Sequence, residues 1–212
     1  VPLSLLEEPW LDGRKIIMLE PRRLAARSAA ARMAAALNEN VGQTVGYRVR
    51  MDTRVSQATR IEVVTEGVLT RMLQQDQGLE DTAMIIFDEF HERHLHGDLG
   101  LALALESRAM LRPDLKVLIM SATLDPDPIC TLLGEGTRAI DCPGRTFPVE
   151  TRYVSKPSSA VLEAFTAQAV VKALAQQEGD VLVFLPGARE IHRTERELSK
   201  LNLASHVEVH SL

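Results

Sequence analysis

The chain has 212 residues, with 24 Lys and Arg against 29 Asp and Glu, for a formal net charge of −5. At 45% hydrophobic and 25% charged it has the balance of a folded globular protein, which excludes a disordered, collagen-like or supercharged polymer. No apolar run approaches the roughly 18–20 residues that cross a bilayer. The opening VPLSLLEEPW has no basic stretch ahead of an apolar one, and two cysteines, Cys130 and Cys142, are too few for a disulfide framework, so the cytoplasm is the expected compartment.

The charge is unevenly spread. Residues 14–60 hold ten basic side chains, nine of them Arg, against three acidic ones, whereas residues 76–212 hold 13 basic and 21 acidic. An Arg-rich stretch in an otherwise acidic chain reads either as a local anion site or as a solvated basic face, and charge alone does not choose.

In chain order, short apolar runs alternate with helical segments. A buried strand is expected at 15–19, an Ala-rich helix at 24–37 stopped by the polar stretch 38–42, a strand at 47–50, a turn at 51–56 and a strand at 61–65. A helix at 66–75, a continuous apolar strand at 83–87, a helix at 97–111, a strand at 116–120 and a short helix at 128–133 follow. Strands alternating with helices in this way indicate βαβ units around a parallel sheet. Pro143, Gly144 and Pro148 interrupt the pattern; beyond them come an exposed strand at 149–154, a helix at 161–177, a strand at 181–185, a helix at 188–201 and a strand at 206–210. The expected organisation is a first α/β domain over 1–145, a linker over 146–157 and part of a second domain over 158–212.

The strongest chemical signal is the run Met84-Ile85-Ile86-Phe87 ending in Asp88-Glu89. It places two carboxylates at the C-terminal edge of a parallel sheet, where open α/β folds bind ligands, although a strand also ends in acids because it ends at solvent. Arg22 and Arg23 lie between a strand and a helix N-terminus, where fork-shaped donors and the helix dipole favour a phosphate. Thr65, Glu66 and Gly67 form the next such junction, offering a hydroxyl and backbone amides; contacts of this kind hold a nucleic-acid strand without reading its sequence. His91, His94 and His96 do not have the spacing of a closed zinc site.

Asp88-Glu89-Phe90-His91-Glu92-Arg93 resembles motif II of the DEAH-box helicases, with Phe90 in the place of the family's Ala. Glu20-Pro21-Arg22-Arg23-Leu24-Ala25-Ala26 resembles motif Ia, Thr65-Glu66-Gly67-Val68-Leu69 motif Ib, and Ser121-Ala122-Thr123 motif III. Phe184-Leu185-Pro186-Gly187 with Glu190-Ile191 resembles motif IV, and Val209-His210-Ser211-Leu212 the segment shortly after it. Glu20, Phe90 and the run from Thr65 to Leu73 are most similar to the bacterial HrpB-type branch.

The resemblance implies a P-loop NTPase (RecA-like) α/β fold, with one nearly complete domain and the start of a second. It also implies an ATP-dependent RNA helicase, a hydrolase moving 3′-to-5′ along single-stranded RNA, with ATP and Mg²⁺ as cofactors. On these residues Asp88 holds Mg²⁺ and Glu89 orients the attacking water, while His91, Ser121, Ala122 and Thr123 couple the nucleotide site to domain movement. Arg32 matches a position that stacks on adenine, though as a residue it also fits an exposed helix arginine. Pro21, Arg22, Arg23, Arg50 (in a hairpin over 48–54), Thr65, Gly67, Gly187 and Ser211 contact the RNA backbone. No G-x-x-x-x-G-K-[ST] occurs in the 212 residues, so the resemblance further implies an inner segment of a longer helicase. A DNA-directed P-loop translocase and a degenerate, non-enzymatic nucleic-acid-binding module are the alternatives.

Overall fold

Two segments, KIIMLE and TAMIIF, are apolar on both faces, so each must be covered by protein above and below. In a computed structural model, which describes residues 1–123, 125–142, 144 and 147–212, they form the central strands β1 (Lys15–Glu20) and β5 (Thr82–Phe87). The expected domain boundary at 145/146 falls outside the described residues. The chain divides into two units, Val1–Cys142 and Pro143–Leu212.

The first unit is built on a six-stranded sheet in the order β3-β2-β4-β1-β5-β6. Its other strands are β2 (Val45–Val49), β3 (Asp52–Arg54), β4 (Ile61–Thr65) and β6 (Lys116–Ile119). All neighbours pair in parallel except β2 and β3.

Period-two alternation sends Ile16 and Met18 to one face of the sheet and Ile17 and Leu19 to the other. The first face is covered by α1 (Arg23–Ala36), whose Ala26, Ala30, Met33 and Ala34 are buried against it. The second is covered by α2 (Glu66–Gln75), through Leu69 and Leu73, and by α3 (Leu95–Met110), through Leu101 and Ala104. A short helix, α4 (Pro126–Leu133), follows β6. The result is the three-layered, mostly parallel α/β architecture that the alternating pattern predicts.

The segment expected as a turn at 51–56 contains β3 instead. Arg54 pairs with Tyr47 and Asp52 with Val49, closing a two-residue hairpin through Arg50 and Met51, the latter in the left-handed region (φ +64°). A three-residue polar edge strand carries too little apolar patterning to be read from its own residues, whereas the hairpin that the resemblance implies over 48–54 is present. Gly46 permits the hairpin's return: a Cβ there would lie 2.4 Å from the Arg54 carbonyl oxygen.

The second unit contains α5 (Leu162–Gln176) and α6 (Ala188–Ser199), packed together through Ala167 and Leu198 and an Arg193–Glu163 pair at 3.4 Å. Three expected strands are absent here: 149–154, 181–185 and 206–210 are irregular. An extended segment becomes a strand only by sharing a ladder, and among the described residues none of these finds a partner. Phe184 is 88% exposed as a result.

At the edge of the first unit where β5 and β6 begin, Arg112 donates to the carbonyls of Gly78 (2.9 Å), Leu79 (2.8 Å) and Thr82 (3.0 Å), pinning the loop that leads into β5. Asp114 is gripped by Arg112 and Arg14, which hold its carboxyl far below the usual range. Arg112→Ala removes a donor from three carbonyls, of which Leu79 O keeps the Thr82 N–H, and is expected to cost about 2 kcal/mol. In urea unfolding the midpoint drops while the slope is unchanged.

Candidate nucleotide site and nucleic-acid interface

Because β4, β1, β5 and β6 are adjacent and parallel, their carboxyl ends meet at one edge, where Thr65, Glu20, Asp88 and Met120 stand side by side. Backbone bonds continue past the strand ends. Asp88 N–H donates to Leu19 O (3.0 Å), Met120 N–H to Phe87 O (2.8 Å), and Phe90 N–H to Met120 O (3.1 Å). The loop carrying Asp88 and Glu89 is thereby fixed on one side to β1 and on the other to the start of Ser121-Ala122-Thr123.

The loop then makes a 3₁₀ turn, Phe90–Glu92, flanked by two non-glycine residues in the left-handed region, Glu89 (φ +50°) and Arg93 (φ +49°). Such backbone is uncommon and persists where the surroundings over-determine it. Phe90 does this here: it is buried edge-on against Phe87, with ring centroids 6.3 Å apart, and the Arg93 guanidinium lies 5.4 Å above its ring. The departure from Ala at this position is therefore an anchor for the turn. Glu89 is left exposed, with its N–H donating to Asp88 Oδ1 at 2.9 Å. His91 Nε2 lies 3.4 Å from Glu89 Oε2, and His91 Nδ1 is buried with no partner among the described residues.

Glu20 ends β1 beside this loop and is only 5% exposed. Burial, then the charge of Asp88 and a hydrogen bond to it, with smaller contributions from Glu89 and Glu92, raise its carboxyl from 4.5 to about 7. Four acids so placed make a strongly negative edge that a cation relieves. Among the described residues no group of three or more metal-ligating side chains could hold an ion alone. Magnesium is held by one or two carboxylates together with phosphate oxygens; Asp88 and Glu89 are two adjacent carboxylates at this edge.

The expected nucleic-acid contacts on this unit gather at the same edge. Pro21 leads into α1, for which Arg22 is the N-cap and Arg23 the first residue; Thr65 is the N-cap of α2, in extended conformation and with no capping hydrogen bond from its side chain, and Gly67 is exposed in the first turn. Because Glu20 and Thr65 are register partners on β1 and β4, the two helix N-termini are neighbours. Arg22 is not idle, however: its Nη2 lies 3.2 Å from both carboxylate oxygens of Glu92. Arg50 is exposed at the hairpin tip, whereas Arg48 turns inward to the buried Glu62.

Ser121, Ala122 and Thr123 are exposed after β6, and the capping role open to a serine or threonine there is taken by Asp125, which accepts from Asp127 N–H at 3.2 Å. Arg32 is exposed on α1, nine residues past Arg23 and so roughly 13 Å along the axis from that helix start, without an ion pair among the described residues. In the second unit Gly187 is the N-cap of α6, and Ser211 Oγ donates to Glu195 at 3.0 Å.

The sequence alone assigns no chemical role to Glu20, Glu92 or Arg93. The signal for Glu20 is there, since it ends one buried strand as Asp88 ends another. Nothing local foretells the Arg22–Glu92 pair, whose members are 70 residues apart.

A mostly parallel sheet flanked by helices, with paired carboxylates leaving a central strand, is the architecture of the RecA-like helicase fold. Residues 3–131 match the DEAD/DEAH box helicase family, and the chain belongs to that family. It is 51% identical over 199 residues to the ATP-dependent RNA helicase HrpB of Escherichia coli K12, covering 94% of this chain and 24% of that protein. It is also 40% identical over 195 residues to the ATP-dependent RNA helicase HrpA of the same organism, covering 90% of this chain and 15% of HrpA. The crystal structure of E. coli DEAH/RHA helicase HrpB superimposes with a TM-score of 0.85 at 51% identity over 94% of this chain and 25% of that one. The chain thus spans a quarter or less of the length of these relatives.

The raised carboxyl of Glu20 has a consequence for stability. The folded state keeps a proton that the unfolded chain loses near 4.5, so stability is lost as pH rises from there through about 7. Glu20→Gln removes that loss. In magnesium-free buffer the variant's Tm is expected to exceed the wild type's at pH 8, with the advantage gone at pH 4; an equal difference at both pH values would contradict this origin.

Proposed function

We propose that this chain supplies motor elements of a bacterial, cytoplasmic ATP-dependent RNA helicase that couples ATP hydrolysis to 3′-to-5′ movement along single-stranded RNA and to duplex unwinding. The observation that carries this reading is the exit of β5: Asp88 and Glu89 lie one strand from the N-terminus of α1, which presents Arg22 and Arg23, and two strands from that of α2, which presents Thr65 and Gly67. Catalytic carboxylates and phosphate-binding positions share one rigid edge, so what occupies one acts on the other. The HrpB and HrpA relatives, named as ATP-dependent RNA helicases, support RNA as the polymer.

In this reading Asp88 holds Mg²⁺, which when bound neutralises charge on the nucleotide's phosphates, and Glu89 orients the attacking water. Glu89 suits that role because it is exposed and its backbone is held by the anchored turn. His91 has one buried ring nitrogen unpartnered, which suits a residue that completes a bond only when the nucleotide site closes. Ser121, Ala122 and Thr123 begin at the residue after Met120, whose carbonyl takes the Phe90 N–H, and so inherit movement of the turn. Arg32 takes the adenine ring. Arg22, Arg23, Pro21, Thr65, Gly67 and Arg50 take the RNA backbone from the first unit, and Gly187 and Ser211 from the second. Residues 1–145 act as the first motor domain, 146–157 as its linker and 158–212 as part of a second.

The test is ATP hydrolysis by the full-length protein, with and without single-stranded RNA or DNA. RNA is expected to stimulate turnover, and Glu89→Gln to reduce stimulated turnover by roughly 10²-fold or more. Undiminished turnover in that variant would overturn the assignment, and stimulation by DNA in preference to RNA would identify a DNA translocase. The 212 residues alone, which contain no Gly-Lys phosphate loop, are expected to hydrolyse ATP negligibly.

A further inference from the structure

Arg22 stands at the start of α1, where a helix N-terminus and a guanidinium fork favour a phosphate, yet its side chain, 72% exposed, is already engaged by an anion. Glu92 presents both carboxylate oxygens to it at 3.2 Å, and one of the two also meets His94 Nε2 at 2.9 Å. The hydrogen bond from His94, followed by Arg22, holds the Glu92 carboxyl below its ordinary range, so it stays an anion at neutral pH. A carboxylate and a phosphate present the same paired oxygens to a guanidinium, and here both oxygens of Glu92 meet the one nitrogen Nη2. Arg23, next in the chain, has no such partner among the described residues.

Glu92 is the last residue of the 3₁₀ turn Phe90–Glu92, three positions beyond Glu89 and one beyond His91. The turn is bounded by two left-handed non-glycine residues, Glu89 and Arg93, backbone that lasts only while its surroundings hold it. Whatever removes Arg22 from Glu92 therefore takes one of two side-chain partners, leaving His94, from the last residue of the turn that follows Glu89.

We propose that Glu92 is a positioning residue that occupies Arg22 in place of a phosphate when RNA is absent, and that an RNA phosphate taking Arg22 frees the Phe90–Glu92 turn and so signals strand occupancy to Glu89 and His91. The proposal rests on the RNA-helicase reading and deepens it. It makes RNA binding an exchange of anions on one guanidinium, so Glu92 weakens RNA affinity and in return links the strand to hydrolysis.

The test is a double-mutant cycle in the full-length protein on Glu92→Gln and Arg22→Ala. Binding of fluorescein-labelled single-stranded RNA and the ratio of ATP turnover with saturating RNA to turnover without it are both measured. Exposed ion pairs contribute about 0.2–1 kcal/mol, so Glu92→Gln is expected to tighten RNA binding by about two- to five-fold. It is also expected to lower the stimulation ratio. In the Arg22→Ala background the same substitution is expected to change neither quantity, because the competitor then has nothing to compete for. Equal tightening in both backgrounds would mean simple removal of a negative charge, and an unaltered stimulation ratio would mean that the turn is not coupled; either overturns the proposal while leaving the helicase reading in place. A wild-type protein that neither binds RNA nor responds to it would overturn both.

Discussion

Parallel strands can lie beside one another only if the chain crosses back over the sheet after each, and that geometry delivers all their carboxyl ends to the same edge. Everything functional in the first unit follows from this. Glu20, Thr65, Asp88 and Met120 belong to four different stretches of sequence, yet they emerge together because β1, β4, β5 and β6 are hydrogen-bonded neighbours. The bonds from Asp88 to Leu19, Met120 to Phe87 and Phe90 to Met120 carry the sheet's rigidity into the loops. A phosphate-binding edge assembled on loops alone would lack that registration.

The edge is also electrostatically incomplete. Glu20, Asp88, Glu89 and Glu92 crowd one corner; burial first, and then these neighbours, raise the Glu20 carboxyl to about 7, so that it retains a proton rather than join them as an anion. Arg22 and His94 offset Glu92, and among the described residues nothing comparable is bonded to Glu89 beyond His91 at 3.4 Å. In the proposed reading, a divalent cation at Asp88 and a polyanion at the arginines would satisfy the two halves of this imbalance together.

What sequence conveyed and what it withheld divide along the same physical line. The runs KIIMLE and TAMIIF announce buried parallel strands because both faces must be apolar, and Asp88-Glu89 at the end of one announces the site. The Ala-rich α1 is legible because a helix lying on a sheet needs small residues for close approach. The segments 149–154, 181–185 and 206–210 also look like strands, but a ladder is a property of two segments, and pattern within one cannot supply the other. The short polar β3 fails in the opposite sense, having a partner and no pattern. At the site, Phe90 reads as a deviation from a motif, and only its contact with Phe87 and Arg93 turns it into an anchor. From sequence Arg22 reads as a phosphate-binding residue. That its present anion is Glu92, 70 residues away, is a fact of tertiary structure alone.

The central claim is that nucleotide and RNA act on one shared edge, and binding linkage tests it most directly. RNA affinity of the full-length protein would be measured by fluorescence anisotropy without nucleotide, with Mg²⁺ and ADP, and with Mg²⁺ and a non-hydrolysable ATP analogue. A shared edge predicts that affinity changes by about five-fold or more between nucleotide states, within the usual range of coupling between linked sites. Identical RNA affinity in all three conditions would contradict it.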